Sequence, residues 1–290
     1  MSQLTQRLRT RVSRLIGSEP PGQAPPPWAD VTPRVFPALS EHTRRYADQL
    51  GPQDLTPYEF RVFSQNGEDG IISEILSRIG IGPRWFAEFG IGSGHQGNCV
   101  LLADVYGWNG LFCELDHQAF TQLAAKYQHN PRVQTDCVAI QPDNVEAVFE
   151  RHGVDPELDV LSIDVDTIDF WIWKAIDRFR PRLVIVEYNA SLSPDRAQVF
   201  PNDPSARWDE TVYYGSSLGA FRLLGRQKGY DLVHTDLLGI NAFFVRHDLA
   251  DRVGITAPPI RPLNFGLTGG SMPIDPLGRA WIDWPDGDPS

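Results

Sequence analysis

The chain has 290 residues, of which 41% are hydrophobic, and a formal net charge of -11 from 26 basic and 37 acidic residues. That length buries a full core in one large or two small domains. The acidic balance argues against nucleic acid as the main partner, because a phosphate backbone rewards the opposite sign.

Cys99, Cys113 and Cys137 are widely spaced and form no C-x-x-C pair, so neither a disulfide framework nor a zinc site is indicated. No apolar run reaches the roughly eighteen residues of a membrane span, and the N-terminus lacks the apolar core of a signal peptide. A cytoplasmic protein without a transmembrane segment is expected. "MSQLTQRLRTRVSRLIG" (1–17) carries four arginines and no acid, with Leu4, Leu8, Val12 and Leu15 at roughly helical spacing. It reads as a solvated arm, as a helix packed on another subunit of a homo-oligomer, or as a membrane-surface anchor. The proline-dense stretch at 18–34 reads as a semi-rigid linker. The expected organisation is an arm and linker over 1–54, a main domain over 55–255, and a Pro/Gly-rich tail over 256–290 that wraps the surface or a neighbouring subunit.

Within the main domain, helix and strand signals alternate. Ile71, Ile72, Ile75, Leu76 and Ile79 predict a lead-in helix within 58–80, stopped by Gly80 and Gly82. "RWFAEFGIG" (84–92) reads as a short apolar strand ending in glycines, followed by a helix in "NCVLLADVYG". Strand "GLFCELD" (110–116) precedes helix "HQAFTQLAAKYQ", and a weaker strand at 133–140 precedes a helix at 144–153. "LDVLSIDVD" (158–166), "DFWIWKAIDRF" (169–179) and "RLVIVEYN" (182–189) then read as strand, helix and strand. Continuous apolar strands separated by helices predict an α/β fold with a mostly parallel sheet covered on both faces. After a polar insertion at 190–215 come a helix, "SLGAFRLLGRQKG", and two strands joined through Leu238-Gly239-Ile240, so the sheet is expected to finish with an antiparallel strand.

Ligands of open α/β sheets bind outside the carboxyl ends of the strands. The first strand ends "EFGIGSG", where Glu88, Gly90, Gly92 and Gly94 allow close backbone approach and aim a helix N-terminus at a ligand. The second ends in Glu114, twenty residues after Gly94, where a carboxylate can accept both hydroxyls of a ribose. The pair indicates a nucleoside-bearing cofactor; a dinucleotide enzyme, or glycines serving only a tight turn, would supply the same spacing. Glu88, two positions before the first glycine, together with the closing antiparallel hairpin, resembles the Rossmann-like class I methyltransferases and favours S-adenosylmethionine.

"FSQNGEDGI", "EFGIGSG", "GWNGLFCELD", "LSIDVDTIDFWIWKAI", "VIVEYNA", "GSSLGAF" and "GINAFFVR", in this order over about 63–247, resemble a bacterial family related to the FkbM-type methyltransferases. Such proteins are often encoded beside glycan or natural-product genes. The resemblance implies a seven-stranded sheet, cofactor contacts from Glu88, Gly90, Gly92 and Glu114, and Asp136 or Cys137 near the adenine. It departs at Asp164-Val165-Asp166-Thr167-Ile168-Asp169, where the family pattern reads "DIDGND" and a Gly-Asn pair is therefore replaced.

Asp164 and Asp166 share a face under strand alternation, as do Glu187 and Asn189 on the next strand. Four oxygen-bearing side chains at one rim form a candidate Mg²⁺ site, in which the metal would hold an acceptor hydroxyl and lower its pKa. Catechol O-methyltransferase is similar in this respect. Alternatively, Asp169 caps the following helix, and Asp164 or Asp166 bonds the cofactor ammonium. Asp164, Asp169 and His234 are the catalytic candidates, with His95 a second candidate base. Ser64, Gln65, Asn66, Glu68 and Asp69 form a polar cluster that either caps the lead-in helix or closes over the cofactor or the acceptor. Arg196, Arg207, Trp208, Asp209, Tyr213 and Tyr214 of the insertion are expected over the acceptor, while Trp171 and Trp173 belong to the core.

The expectation is therefore an S-adenosylmethionine-dependent O-methyltransferase acting on a sugar or natural-product hydroxyl. A nicotinamide-dependent oxidoreductase and a non-catalytic nucleotide-binding protein are its rivals.

Overall fold

A computed structural model describes residues 55–262 and 272–284. The expected N-terminal arm and linker lie outside the described residues. A seven-stranded sheet runs in the order β3-β2-β1-β4-β5-β8-β7. Its members are β1 (Trp85–Phe89), β2 (Asn109–Glu114), β3 (Val133–Cys137), β4 (Val160–Ile163), β5 (Leu183–Glu187), β7 (Tyr230–Thr235) and β8 (Asn241–Arg246). All neighbours from β3 to β5 are parallel, whereas β8 is antiparallel to both β5 and β7. The final strand thus returns between β5 and β7 instead of adding to the edge. A two-residue strand β6 (Gln198–Val199) pairs with β9 (Ile282–Asp283) in a separate ribbon.

Side-chain alternation divides the core into two layers. Ala87, Phe89, Leu111, Leu161, Ile163, Val184 and Val186 face the layer with α4 (Val145–Arg151), α5 (Asp169–Ala175) and α6 (Leu218–Lys228). Phe86, Phe112, Val160, Leu183, Ile185, Phe243 and Val245 face the layer with α1 (Glu68–Ile79), α2 (Val100–Asp104), α3 (His117–Tyr127) and α7 (His247–Ala250). Burial on both faces is why the strands read as continuous apolar runs. No helix among the described residues is long and apolar enough to cross a membrane.

Several boundaries differ from the sequence expectation. The lead-in helix starts at Glu68, not near 58, because Glu68 and Asp69 turn back to collect the amides of the preceding loop. The helix after β4 stops at Ala175. The described part of the tail is mostly exposed, but Trp284 at its end lies in the core against Phe170 and Trp171, with ring centroids 5.0 and 5.3 Å away. Trp173 is core, as expected, and Trp171 is partly buried beside it.

Candidate functional site

The chain runs outward from β1 through β2 to β3, then crosses to β4 on the other side of β1. Such a reversal leaves a crevice at the carboxyl ends of the strands. Two cavities, of about 380 and 360 Å³, open there and share Gln65, Gly90 and Asp164 in their walls.

The first lies over the tips of β1, β2 and β4. Gly90, Glu114, the segment Val138–Gln141, the turn Asp164–Ile168, and Arg207 and Trp208 from the insertion line it. Glu114 is buried and already accepts the Gly92 and Asp116 amides at 2.6 and 2.7 Å. A carboxylate offers about four lone-pair positions, so two remain for hydroxyls of a ligand. Gly90 has φ 74°, and a Cβ there would stand 1.7 Å from the Asp164 carbonyl oxygen. Its glycine is required first by the approach of β1 to the β4 turn.

The second cavity is lined by Glu68, Glu88, residues 91–93 and 95–98 of the glycine loop, and Asn241. Glu88 is buried and accepts the amides of Asn98 and Cys99 at 2.7 and 2.8 Å, and burial pushes its pKa up to about 7. It thereby closes the N-terminal end of α2 and shapes the glycine loop. This corrects the expectation that a helix N-terminus points at the ligand: α2 starts only at Val100, and the two amides before it are taken by Glu88. Gly92 and Gly94 adopt φ 62° and 76°, as a loop of this curvature needs.

The three aspartates after β4 separate into different roles. The strand ends at Ile163, so Asp164 and Asp166 converge through a turn and not through the pleat. Asp166 sits at φ 66°, and its carbonyl accepts the Gly215 amide at 3.1 Å. The left-handed residue is thus Asp166, one position before the site at which the family pattern has glycine. Oxygen atoms of Asp164, Asp166 and Glu187 lie within 4.8 Å of one another. Burial, then mutual repulsion, raises the pKa values of Asp164 and Glu187 well above the ordinary carboxylate range, and burial with repulsion from Glu114 raises that of Asp166.

Asp169 is fully buried at the first position of α5. Its Oδ1 accepts the Val165 amide at 2.8 Å, its Oδ2 has no partner, and burial lifts its pKa to about 7. It ties down the preceding turn; it is not the cap of its own helix, since Ile168 occupies that position.

Two further expectations are corrected. Asn189 is fully buried, and its Nδ2 donates to the carbonyls of Val212 and Tyr214 while its Oδ1 accepts from Ser191 N and Oγ. With both donors and both lone pairs engaged, it has no capacity for a metal. His234 is likewise buried away from both cavities, with Nε2 2.9 Å from Glu59 Oε1. His95, on the glycine loop with Nδ1 3.1 Å from Ser93 Oγ, lines the second cavity. Asp136 is paired with Arg151 and His152, which with their hydrogen bonds hold its carboxyl below the usual range, and Cys137 Sγ lies 3.6 Å from His117 Nδ1. Neither lines the cavities; Val138–Gln141 do so instead.

Of the insertion, Arg207 and Trp208 reach the first cavity, whereas Tyr213 and Tyr214 are buried and Arg196 pairs with Asp283. Gln65, from the polar cluster expected either to cap the lead-in helix or to close over the cofactor or the acceptor, lines both cavities, whereas nothing in the sequence marked Asn241 as a cavity residue. Asn241 donates to Glu68 Oε1 at 2.9 Å, joining the start of β8 to α1.

No family model matches the chain, and neither does any curated protein. Among solved structures, magnesium protoporphyrin IX methyltransferase from Synechocystis with bound SAM is similar at 10% identity and TM-score 0.41, over 78% of this chain and 100% of that one. An S-adenosylmethionine-dependent methyltransferase from Clostridium acetobutylicum is similar at 10% identity and TM-score 0.39, over 62% and 90% of the two chains. Aeropyrum pernix fibrillarin, with natively bound S-adenosyl-L-methionine, is similar at 17% identity and TM-score 0.39, over 67% and 87%. Many of the solved structures that the chain resembles in its α/β architecture are S-adenosylmethionine-dependent methyltransferases.

Proposed function

We propose that the chain is an S-adenosylmethionine-dependent methyltransferase that O-methylates a hydroxyl of a sugar or natural-product acceptor with the assistance of Mg²⁺. One observation carries the cofactor: the first cavity places the buried Glu114 carboxylate, with lone pairs to spare, at the tip of β2 beside Gly90 and the Val138–Gln141 wall. That arrangement fits a ribose and a base. Glu88, Gly92 and Gly94 shape the loop that flanks the cofactor's amino-acid end. When bound, S-adenosylmethionine supplies an electrophilic methyl group on a sulfonium.

Asp164 stands where the two cavities join, so a hydroxyl entering from either lies beside it. Burial and the neighbouring carboxylates hold its pKa above the usual carboxylate range, which makes it a stronger proton acceptor than an exposed aspartate. Asp164, Asp166 and Glu187 are the residues that would hold Mg²⁺, without Asn189. The oxygen-only donor set and the partnerless buried Glu187 Oε2 fit a hard cation. Such an ion would lower the pKa of the acceptor hydroxyl. Arg207 and Trp208 at the cavity rim suit a sugar or an anionic acceptor. The FkbM-like motif order supports the same acceptor class, and the formal charge of -11 makes a nucleic-acid substrate less apt.

Calorimetry on the full chain tests the reading. Saturable binding of S-adenosylhomocysteine with none of NAD⁺ is expected. Binding of NAD⁺ alone would replace the proposal with an oxidoreductase. S-adenosylhomocysteine binding without turnover on any hydroxylated acceptor would leave a nucleotide-binding partner protein.

A further inference from the structure

The acids of the strand rim have a counterpart elsewhere in the fold. A separate cavity of about 410 Å³ lies between α6 and the β6–β9 ribbon, within the roughly 300–1,000 Å³ span of small-molecule sites. Arg222 and Arg226 project into it from α6, and Arg196 faces them from the insertion. Arg222 is only half-exposed, and neither it nor Arg226 has an acidic partner or hydrogen-bond acceptor among the described residues. Asp195 and Asp283 line the same groove, so its walls carry three arginines against two aspartates, a small positive excess in a chain of formal charge -11, with Arg222 and Arg226 one helical turn apart. Like charges at this spacing destabilise a helix unless something neutralises them.

The third arginine is available at little cost. Arg196 Nη2 meets Asp283 at 2.8 Å, but both side chains are more than half exposed, and such pairs are weak in water. Three guanidinium groups arriving from two walls match an anion with oxygens in several directions; a planar carboxylate satisfies one fork, whereas a phosphate group accepts from several. Leu223 and Trp284 supply an apolar strip beside the cations, and the Trp284 indole N–H has no acceptor among the described residues. We propose that the groove between α6 and the β6–β9 ribbon is a second binding site, specific for a phosphate-bearing ligand and distinct from the cofactor crevice. The site is independent of the methyltransferase reading.

Titration calorimetry of the full chain with sodium pyrophosphate and with inorganic phosphate, at fixed ionic strength, tests it. Saturable pyrophosphate binding is expected, weakened at least about tenfold in Arg222→Gln/Arg226→Gln, with S-adenosylhomocysteine affinity unchanged within about twofold. The exposed single change Arg226→Gln, which does not threaten folding, is expected to weaken pyrophosphate at least about threefold. Tighter binding of pyrophosphate than of phosphate supports a diphosphate-bearing ligand, and equal binding supports a single phosphate group. The proposal is overturned if pyrophosphate fails to saturate, if both variants bind it as the parent does, or if S-adenosylhomocysteine displaces it.

Discussion

Replacing Glu114 by Gln tests the cofactor geometry with almost no change in shape. In the structure, Oε2 accepts the Gly92 amide at 2.6 Å and Oε1 accepts the Asp116 amide at 2.7 Å, so one of these contacts must face an NH₂ group in the variant. A hydrogen bond to a charged acceptor contributes about 1.5–3 kcal/mol. Loss of one amide contact should therefore reduce stability by roughly that amount, read as a lower urea midpoint at unchanged m-value. The proposed ribose contact loses its charged acceptor as well. A further ~1.5–3 kcal/mol is removed from the complex alone, so S-adenosylhomocysteine affinity should fall about 10- to 150-fold. Calorimetry at a temperature where both proteins are folded separates the two effects. A stability loss of the expected size with affinity within about twofold of the parent would refute the role of Glu114 in cofactor binding while sparing its role in holding the loop.

Burial pushes Glu88, Asp169 and Asp236 up to about 7, whereas unfolded carboxylates titrate near 4. The native state then holds more protons between about pH 4 and 7, so stability should fall as pH rises across that window, by ~1.4 kcal/mol per pH unit for each extra proton. His247, raised by its hydrogen bond to Asp231, acts in the same direction around neutrality. Melts from pH 5 to 8 at constant ionic strength measure this, and Asp169→Asn should flatten the slope; stability that climbs toward pH 8 would contradict it. Mg²⁺ should raise the melting temperature more at pH 8 than at pH 6, because it competes with protons at Asp164 and Glu187, and Asp166→Asn should abolish most of that rise. An equal rise in the variant would remove the metal proposal. Arg279 pairs with both Asp209 and Asp275 and lies over the Tyr213 ring, 4.2 Å from its centroid, so it anchors the insertion that brings Arg207 and Trp208 to the cavity. Arg279→Ala should speed S-adenosylhomocysteine dissociation at least about threefold, with Arg279→Lys partly restoring it; unchanged dissociation kinetics would show that the anchor does not bear on the crevice.

Much of the candidate crevice was legible because it depends on local order in the chain. Glycines at 90, 92 and 94 and acids at 88 and 114 sit at strand ends, and strand ends follow from the apolar runs before them. Roles were harder to read. Glu88, expected as a cofactor contact, is bound to the Asn98 and Cys99 amides; the pairing depends on how the loop folds back, which no spacing encodes. Asn189 has the correct strand position for a metal ligand, but the insertion returns at Val212 and Tyr214 to take its amide. His234 is captured by Glu59, 175 positions earlier.

The residue pattern by itself determined the α/β alternation, the parallel sheet with its closing antiparallel strand, and the edge at which a ligand would bind, because hydrophobic periodicity and glycine placement are local properties of the backbone. Only the tertiary structure decided which polar atoms were left over. A hydrogen-bonding group can serve a ligand only after the fold has taken its share, and that share is set by segments distant in sequence. Thus Asp164, Asp166 and Glu187 keep carboxylate oxygens close together at the strand rim, Asp169 gives one oxygen to the backbone and keeps the other, Asn189 is spent, and two arginines of α6 are left facing a groove.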